Sequence, residues 1–356
     1  MTTPTTPRRS NSTSSINNKG PIFVTGADGE KGSAIVRSLL EMQLQHSHLN
    51  GFPVYAGLPD ASTTEARELE VLGATLIELD PIVKPEAVVD ALRGMTKLCL
   101  VVDPHGQQIT RVNAAPYARA YIDAAKQAGV EHVIFLSPFS PCDPTTPPGT
   151  PTLDARRRPS FPLSPNTFRM QFSIIESHLQ LIFSTEQITT IRYPGIVHQH
   201  LLKFFANYIA THSALPLPNH PHMTIESSDL GDIVRATCFV AFSPTSRHGG
   251  KEYKVTGPQL MTLEELGHRV SAGLRRDIRV DMVEMPSLRE ILLEVVPNEE
   301  SVAYTLEMWG LQWRLNGRRF EVTRDLEALT GQSGKTLVEY FEDNRNAFSV
   351  PIQSVN

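Results

Sequence analysis

The sequence has little cysteine, and it has no long apolar run. Its three cysteines, Cys99, Cys142 and Cys238, lie far apart and form no C-x-x-C pair. This spacing excludes a disulfide framework and a zinc site built on paired cysteines, and it favours a reducing, cytoplasmic compartment. No apolar segment approaches the roughly 18 residues that a transmembrane helix needs. We therefore expect a cytoplasmic protein that does not use the membrane as a partner.

An excess of one charge is lacking as well. The 356 residues carry 33 lysines and arginines against 38 acidic residues, a formal net charge of −5. Proteins that bind nucleic acid or anionic membranes present a basic surface, and nothing in this balance indicates one. The apolar content of 40% is ordinary for a globular protein, and the length suits one large or two modest domains. We expect a small-molecule substrate and no nucleic-acid partner.

Three segments lack the apolar residues that a core requires. Residues 1–19 are rich in Ser, Thr and Asn, and they lack the amphipathic face of a transit peptide, so they are predicted to be a disordered tail. Residues 138–165 are dense in proline and contain the run Arg156-Arg157-Arg158. Such segments are mostly surface loops with solvated charges, and the functional alternative is a lid. Residues 349–356 are predicted to be a C-terminal tail.

The most informative stretch that is present covers residues 21–40, PIFVTGADGEKGSAIVRSLL. A short apolar strand is followed by a glycine-rich turn and an amphipathic helix. In such a turn Gly26 permits the tight bend, Gly29 lets the backbone approach a pyrophosphate, and Gly32 allows close helix packing. The N–H groups and dipole of the helix then hold the anion. The order predicts a dinucleotide site, and the alternative is a turn that needs glycine only for its backbone freedom.

Strand and helix patterns alternate over the following residues. Strands are predicted at 53–58, 75–79, 98–102, 132–136 and 188–192, with helices at 63–72, 85–92, 110–128 and 167–183. This alternation predicts an α/β fold, a Rossmann-type doubly wound parallel sheet. Polar residues follow several strands, at the edge of the sheet where ligands bind in such folds. They are Asp60, Asp80, Asp103, His105, Ser137 and Tyr193.

The residues after 196 read differently. Helices predicted at 263–274, 288–311 and 337–344 indicate a smaller, mainly helical substrate-side domain over the ligand edge. We thus predict an NAD(P)-binding core at 20–137, completed by 166–196, and a second domain at 197–348 from which some segments return to the core. An apolar substrate pocket is predicted from aromatic residues: Phe139, Phe168, Phe172, Phe204, Phe205 and Tyr208. The histidines at 198, 200, 212, 220 and 222 lack a spacing typical of metal ligands, and we predict no metal.

Several segments together resemble one family. The strings TGADGEKGS, AGVEHVIFLS, TTIRYPGI, SSDLGDIV and LEALTGQSGKTLVEYFEDN are similar in order and spacing to NmrA-like proteins, which are atypical short-chain dehydrogenases/reductases. The resemblance runs from about residue 21 to 348, interrupted by the proline-rich insertion. The family includes NAD(P)-sensing transcriptional regulators, quinone and isoflavone-type reductases, and fungal enzymes such as festuclavine synthase.

The resemblance implies roles for specific residues. The three glycines would hold the pyrophosphate, Asp80 would lie near the adenine, and Asp103 to His105 would line the path to the nicotinamide. Ser137 would lie beside the nicotinamide ribose, and 193–196 would close the far side. The predicted cofactor contacts are Gly26, Asp28, Gly29, Lys31, Gly32, Asp60, Asp80, Asp103, Pro104, His105, Ser137, Tyr193, Pro194 and Gly195.

Two positions depart from the family's cofactor pattern. Many relatives carry an arginine just after the second strand, where Pro59 stands here. Asp60 beside it favours hydrogen bonds to the ribose of NAD, so the choice between NAD and NADP stays open. Asp28 would place an anion next to the pyrophosphate and weaken its binding.

The catalytic pattern departs further. Typical members of the superfamily use a Tyr-x-x-x-Lys pair for proton transfer, and none of the eight tyrosines here is followed four residues later by lysine. Where NmrA-like enzymes keep a lysine, this sequence has Phe172, with Arg169 the nearest basic residue. The candidate catalytic residues are therefore only Ser137, His105 and Tyr193.

Three functions are consistent with the sequence. The first is an NAD(P)H-dependent oxidoreductase that transfers hydride to a small apolar imine, quinone or enone, a class common in secondary metabolism. The second is a non-catalytic NAD(P) sensor that binds a protein partner, a role compatible with the nucleus as well as the cytoplasm. The third is a non-redox enzyme that reuses the fold.

Overall fold

A computed structural model describes residues 19–106, 108–140, 167–219, 224–315 and 321–348, without the side chains of 313–315. The predicted tails, up to residue 18 and from residue 349, lie outside the described residues. So do residues 141–165 of the proline-rich insertion, together with His220 and His222.

A seven-stranded sheet forms the centre of the molecule. The strands of the chain are β1 (Ile22–Val24), β2 (Val54–Leu58), β3 (Thr75–Glu78), β4 (Lys97–Leu100), β5 (His132–Ser137), β6 (Ile188–Arg192), β7 (Ala214–Pro218), β8 (Thr224–Glu226), β9 (Glu252–Lys254), β10 (Leu260–Thr262) and β11 (Arg279–Val283). The large sheet has the order β3-β2-β1-β4-β5-β6-β9, and all its neighbouring strands are parallel. The predicted doubly wound parallel sheet is confirmed.

Helices cover both faces of this sheet. They are α1 (Glu30–Gln45), α2 (Thr64–Val71), α3 (Pro85–Leu92), α4 (Ala114–Ala128), α5 (Phe168–Ile182), α6 (His198–His212), α7 (Leu230–Phe242), α8 (Thr245–His248), α9 (Leu263–Leu274), α10 (Met285–Val295), α11 (Glu299–Leu315), α12 (Asp325–Thr330) and α13 (Leu337–Asp343). One face packs against α1, α2, α7 and α12, and the other against α3, α4 and α5.

Side-chain alternation along the strands explains the two cores. In β1, Phe23 points into the core on the α4 side, while Ile22 and Val24 point into the core on the α1 side. In β4 the same alternation separates Leu98 from Cys99. Strands buried on both faces read as continuous apolar runs, which is why these segments were recognisable in the sequence.

Four strands of the second half were not predicted. β7 pairs in parallel with β11, and β8 pairs antiparallel with β10. The segment of β7, Ala-Leu-Pro-Leu-Pro, contains two prolines, which normally argue against a strand. The prolines are tolerated because β7 is one of only two strands in its small sheet.

The single helix predicted over 288–311 is wrong. The structure has two helices, α10 and α11, separated at Val296-Pro297-Asn298. Proline has no N–H and forces the preceding residue out of the helical region, and Val296 accordingly has φ −127° and ψ 94°. The side chain of Asn298 accepts hydrogen bonds from the N–H groups of Glu300 and Ser301 at the start of α11. This break directs α11 across the carboxyl edge of the sheet.

Over the described ranges, none of the helices is both long enough and apolar enough to cross a membrane.

The close contact at Gly32 yields a stability prediction. A Cβ atom at this position would lie 2.0 Å from the carbonyl oxygen of Gly26 and 2.9 Å from the backbone nitrogen of Ala27. Backbone atoms cannot move aside cheaply, so we expect Gly32→Ala to lower the free energy of unfolding by about 3 kcal/mol in urea titrations. Gly310→Ala is the control, because a Cβ there meets nothing within 4 Å. It should stabilise α11 by roughly 0.5–1 kcal/mol. Equal stability of the two variants would contradict the packing argument.

Candidate functional site

The glycine loop between β1 and α1 has the geometry of an anion-binding turn. Gly26 has a positive φ of 61°, which side-chain-bearing residues rarely adopt. Its carbonyl oxygen accepts a hydrogen bond from the N–H of Gly29, and the N–H of Ala27 donates to Gly57 of β2. Gly29 is the N-cap of α1 and has no side chain to occupy the helix terminus. The loop thus directs the first N–H groups of α1 towards the carboxyl edge of the sheet.

A buried ion pair occupies this helix terminus. The Nζ of Lys31 lies 2.9 Å from Oδ1 of Asp103, and the two side chains are 1% and 2% exposed. The other oxygen, Oδ2, accepts a hydrogen bond of 3.2 Å from the backbone N–H of Lys31. The N–H of His105 also donates to the carboxylate, over 3.1 Å. The first turn of α1 and the end of β4 are therefore joined through one carboxylate.

Both members of this pair are charged. Burial alone would raise the pKa of Asp103, but the Lys31 ammonium and the backbone donors outweigh it and lower that pKa. Burial alone would lower the pKa of Lys31, and the Asp103 carboxylate reverses this effect. A Cβ atom on Gly29 would lie 3.2 Å from Oδ2 of Asp103. The carboxylate thus fills the space over the glycine loop in which a phosphate would lie against the helix dipole.

A cluster of imidazole and phenol groups adjoins the pair. The ring of His105 lies 4.4 Å from the ring of His200 and 5.0 Å from that of Tyr304, in edge-to-face contacts. The Nδ1 of His105 is 2.6 Å from Oγ of Ser301. Tyr193, which follows β6, interacts electrostatically with Tyr304. Four separate segments therefore meet here: the ends of β4 and β6, the start of α6, and α11.

Several buried polar atoms of the cluster have no hydrogen-bond partner among the described residues. They are Oε2 of Glu30, Nε2 of His105 and Nε2 of His200. Nε2 of His200 and Oε2 of Glu30 lie 3.8 Å apart, which is too long for a hydrogen bond. Each unpaired buried group costs about 1–3 kcal/mol, so a concentration of them is typical of a place that receives a ligand.

The histidines and tyrosines of the cluster are neutral. Burial first, and then the charge of Lys31 among others, lowers the pKa of His105 and of His200 well below 6.5. Burial raises the pKa of Tyr193 to about 12 and that of Tyr304 well above 10. At neutral pH the cluster therefore offers phenol hydroxyls that donate and imidazole nitrogens that accept, without a strong acid or base.

The structure places a lysine beside a tyrosine, although the sequence lacks a Tyr-x-x-x-Lys pair. The Nζ of Lys31 lies 5.9 Å from the centre of the Tyr193 ring, and its charge by itself lowers the pKa of that phenol. Burial and the Asp103 carboxylate act in the opposite direction, and the pKa ends above its ordinary value. Lys31 forms its ion pair with Asp103 and does not lower the pKa of Tyr193 below its ordinary value.

Other predicted cofactor residues are not part of the cluster. The hydroxyl of Ser137 exchanges hydrogen bonds with the backbone of Phe139. The carboxylate of Asp60 accepts hydrogen bonds from Ser62, and that of Asp80 accepts from the N–H groups two and three residues later. Each of these side chains stabilises its own turn at the carboxyl edge. Asp28 lies at the surface of the loop, and partial loss of hydration by its carboxylate raises its pKa despite an opposing backbone hydrogen bond, with a smaller contribution from the Asp103 charge.

Pro104, Pro194 and Gly195 are buried backbone positions around the cluster. A Cβ atom on Gly195 would lie 1.8 Å from the sulfur of Met308, so α11 packs directly on this turn. The spaces that remain are small. A cavity beside the glycine loop, and another between Gly195 and α11, each have a volume of about 10 Å³.

The aromatic residues predicted to form a substrate pocket pack mainly against one another. Phe168, Phe204 and Phe205 are at most 1% exposed and belong to the core. Phe139 and Phe172 contact each other with ring centres 5.2 Å apart and also border a cavity of about 210 Å³. The hydroxyl of Tyr208 donates to Asp281, which directs it away from the cluster. Core packing, the ordinary role of buried aromatic residues, accounts for most of these positions.

Sequence reasoning did not find Ser301, Tyr304 or the role of Glu30, and it considered His200 only as a metal ligand. One signal was available, because Ser301, Tyr304 and Met308 recur at the spacing of one helix face. Nothing local indicates that this face meets His105 after β4 and Gly195 after β6. Within the described ranges, no three His, Cys, Asp or Glu side chains gather in a way that could hold a metal ion.

A parallel sheet whose first strand leads through a glycine turn into a helix defines a Rossmann-type fold. Residues 18–342 match the model of the NmrA-like family, and the chain belongs to that family. The predicted resemblance is thus confirmed.

The individual relatives share only 15–24% sequence identity with this chain. The chain is 24% identical over 331 residues to the NAD(P)H azoreductase of Xenophilus azovorans, covering 92% of this chain and 99% of the relative. The structure resembles that of an NADPH-dependent quinone oxidoreductase from Escherichia coli complexed with NADPH. Their TM-score is 0.69 at 21% identity, covering 91% and 99% of the two chains. It also resembles NmrA, a negative transcriptional regulator, in complex with NADP. That TM-score is 0.62 at 15% identity, with coverage of 92% and 95%. The structural likenesses show a shared fold.

The buried histidines predict a loss of stability in acid. The pKa of His200 in the folded protein lies well below its ordinary 6.5, so below pH 6.5 the unfolded chain takes up a proton that the folded chain refuses. The free energy of unfolding therefore decreases as the pH falls below 6.5, by up to about 1.4 kcal/mol per pH unit for each such histidine.

We expect His200→Gln to flatten the decline of unfolding free energy between about pH 6.5 and about pH 5, measured by urea titration. The control is His268→Gln, since His268 is exposed and should leave the slope unchanged. An unaltered slope in His200→Gln would show that this imidazole is not held neutral by the fold.

Proposed function

We propose that the protein is an NAD(P)H-dependent reductase of small apolar acceptors, with its site at the cluster of His105, Tyr193, His200 and Tyr304. The observation that carries the proposal is the group of unpaired buried polar atoms directly beside the glycine loop. Unpaired buried polar atoms are uncommon in folded proteins, and a group of them in one place, next to a turn of this kind, supports a ligand site.

The loop has the backbone conformation and the N–H donors that a dinucleotide needs, provided that one side chain moves. Gly26 and Gly29 supply the turn, and the N–H groups at the start of α1 supply the donors. The condition is that the Asp103 carboxylate leaves the helix terminus, because it now occupies the position of the anion. The Lys31 ammonium would then be free to meet a phosphate. A reduced nicotinamide supplies a hydride when bound, and the remaining requirements fall on the protein.

Those requirements are orientation and exclusion of water. The phenols of Tyr193 and Tyr304 are protonated at neutral pH and can donate hydrogen bonds to an acceptor oxygen or nitrogen. Without an activated tyrosine the site suits acceptors that take a hydride with little help from a protein acid, such as quinones, azo compounds and iminium ions. The azoreductase and quinone oxidoreductase among its relatives support this class.

The test is NADH and NADPH oxidation in the presence of quinones, azo dyes and iminium compounds, with product analysis. We expect turnover with at least one class, and Tyr304→Phe should lower kcat/KM about tenfold, equal to about 1.4 kcal/mol, because a hydrogen bond to the acceptor is lost. Tyr340→Phe is the control, since Tyr340 is equally buried but packs against His198 in α6. Cofactor oxidation that never exceeds background would contradict the reductase proposal.

The position of Asp103 gives a binding prediction. We expect Asp103→Asn to tighten NADP⁺ or NAD⁺ binding about tenfold in isothermal titration calorimetry, because a competing anion is removed from the helix terminus. The same substitution leaves Lys31 buried without a carboxylate and should lower the stability of the free protein by about 3 kcal/mol. Asp123→Asn removes one negative charge at the surface and should change neither quantity. Weaker cofactor binding by Asp103→Asn would show that the carboxylate assists the cofactor.

A second candidate function is an NAD(P) sensor that binds a protein partner. The observation that favours it is the covered site, since α11 packs on Gly195 and leaves cavities of only about 10 Å³. A cofactor that enters such a site must displace α11. Cofactor binding would then change the protein surface that α11 presents to a partner. Cofactor-dependent loss of hydrogen-exchange protection in α11, together with the absence of turnover, would select the sensor. Unchanged protection would exclude it.

A further inference from the structure

A second cavity lies at the opposite edge of the sheet, where the strands begin. It has a volume of about 430 Å³, within the usual range for small-molecule sites and far larger than the spaces beside the glycine loop. Its walls come from the end of α1, the segment before β2, and the end of α7 with the turn that follows. This cavity is therefore separate from the proposed reductase site.

The floor of the cavity is aromatic. The rings of Phe52 and Phe242 meet edge to face with centres 5.2 Å apart. Phe239 forms a third wall, and the guanidinium of Arg247 stacks over it at 5.4 Å. Flat, rigid walls of this kind favour a planar apolar body over a flexible chain.

The rim of the cavity is cationic. Its positive charges are Lys19 and Arg247, His46 and His48 contribute ring nitrogens, and no acidic side chain lines the cavity among the described residues. Over the same ranges Arg247 has no carboxylate partner, and its guanidinium is exposed at the mouth. The Nζ of Lys19 donates to the carbonyl oxygen of His48 over 2.8 Å, which keeps its charge at the rim.

A buried charge behind the floor adds to this potential. Lys97, the first residue of β4, is 0% exposed, and its Nζ lies 5.8 Å from the centre of the Phe52 ring. The ammonium donates to the carbonyl oxygens of Ala241 and Ser243. Burial lowers the pKa of Lys97 to about 8, so it still carries its charge at neutral pH. Carbonyl oxygens bring no net charge, and among the described residues no carboxylate forms an ion pair with this ammonium, although Glu131 acts on it at longer range.

We propose that this cavity binds a planar aromatic carboxylate, with the ring system among Phe52, Phe239 and Phe242 and the carboxylate on Arg247. The guanidinium of arginine presents paired donors that match a carboxylate. The aromatic walls match the ring, and the positive charges of Lys19, Lys97 and Arg247 disfavour a cation. The occupant is thus defined by charge and shape together.

The experiment is calorimetric titration of the full chain with 2-naphthoate and with the neutral 2-naphthamide. We expect the naphthoate to bind at least tenfold more tightly than the amide, and Arg247→Gln to remove that preference. Arg93→Gln, which changes an exposed arginine elsewhere, should have no effect. Equal affinity for the two probes, or no effect of Arg247→Gln, would overturn the proposal.

Two further experiments establish in which cavity the naphthoate binds. Saturating NADP⁺ should leave naphthoate binding unchanged, and displacement would place the probe in the reductase site and refute the assignment. Deletion of residues 1–18 should also leave the affinity unchanged. Binding that appears only after the deletion would show that the chain itself occupies the cavity, which would refute a small-molecule ligand. None of these outcomes depends on reductase activity.

Discussion

The rest of the site depends on the buried ion pair between Lys31 and Asp103. A carboxylate with three donors ties the first turn of α1 to the end of β4, the two elements that bound the cofactor crevice of a doubly wound fold. The pair also satisfies part of the helix terminus that the glycine loop leaves without a side-chain cap. A buried pair of this kind costs desolvation, so it contributes more to the arrangement of the loop than to net stability. Any anion that enters the loop competes with a carboxylate already in place.

The same pair sets the chemistry of its surroundings. Burial raises the pKa of Tyr193, and because the Asp103 carboxylate opposes the effect of the Lys31 charge, the phenol remains a donor instead of becoming a base. Burial keeps His105 and His200 neutral, so the cluster contains no group that exchanges protons readily near neutral pH. Under the proposed reductase function, such a site would orient an acceptor and exclude water, and it would rely on an acceptor that needs little proton transfer. The missing Tyr-x-x-x-Lys pair and the neutral cluster thus favour the same class of substrate.

Local patterns explain what could be predicted from the sequence. The glycine turn and the buried strands are encoded within short windows, because glycine spacing and apolar runs report directly on backbone conformation. The break at Pro297 was also readable locally and was overlooked. The contact of Tyr304 with His105 joins residues almost 200 positions apart, and no local pattern specifies such a contact. Neither does any pattern distinguish a phenylalanine that lines a pocket, such as Phe139, from one that fills the core, such as Phe168.

Each edge of the sheet contains a buried lysine, and the two lysines differ in the groups that accept their hydrogen bonds. At the carboxyl edge Lys31 is paired with a carboxylate, so its charge is cancelled and an incoming anion must first displace Asp103. At the amino edge Lys97 is held by carbonyl oxygens, so its charge persists beneath an aromatic floor and beside Arg247, which has no carboxylate partner within the described part of the chain. An anion approaching the amino edge meets attraction without a competitor. We infer that the amino edge is preorganised for an anion, whereas the carboxyl edge must rearrange before it binds one.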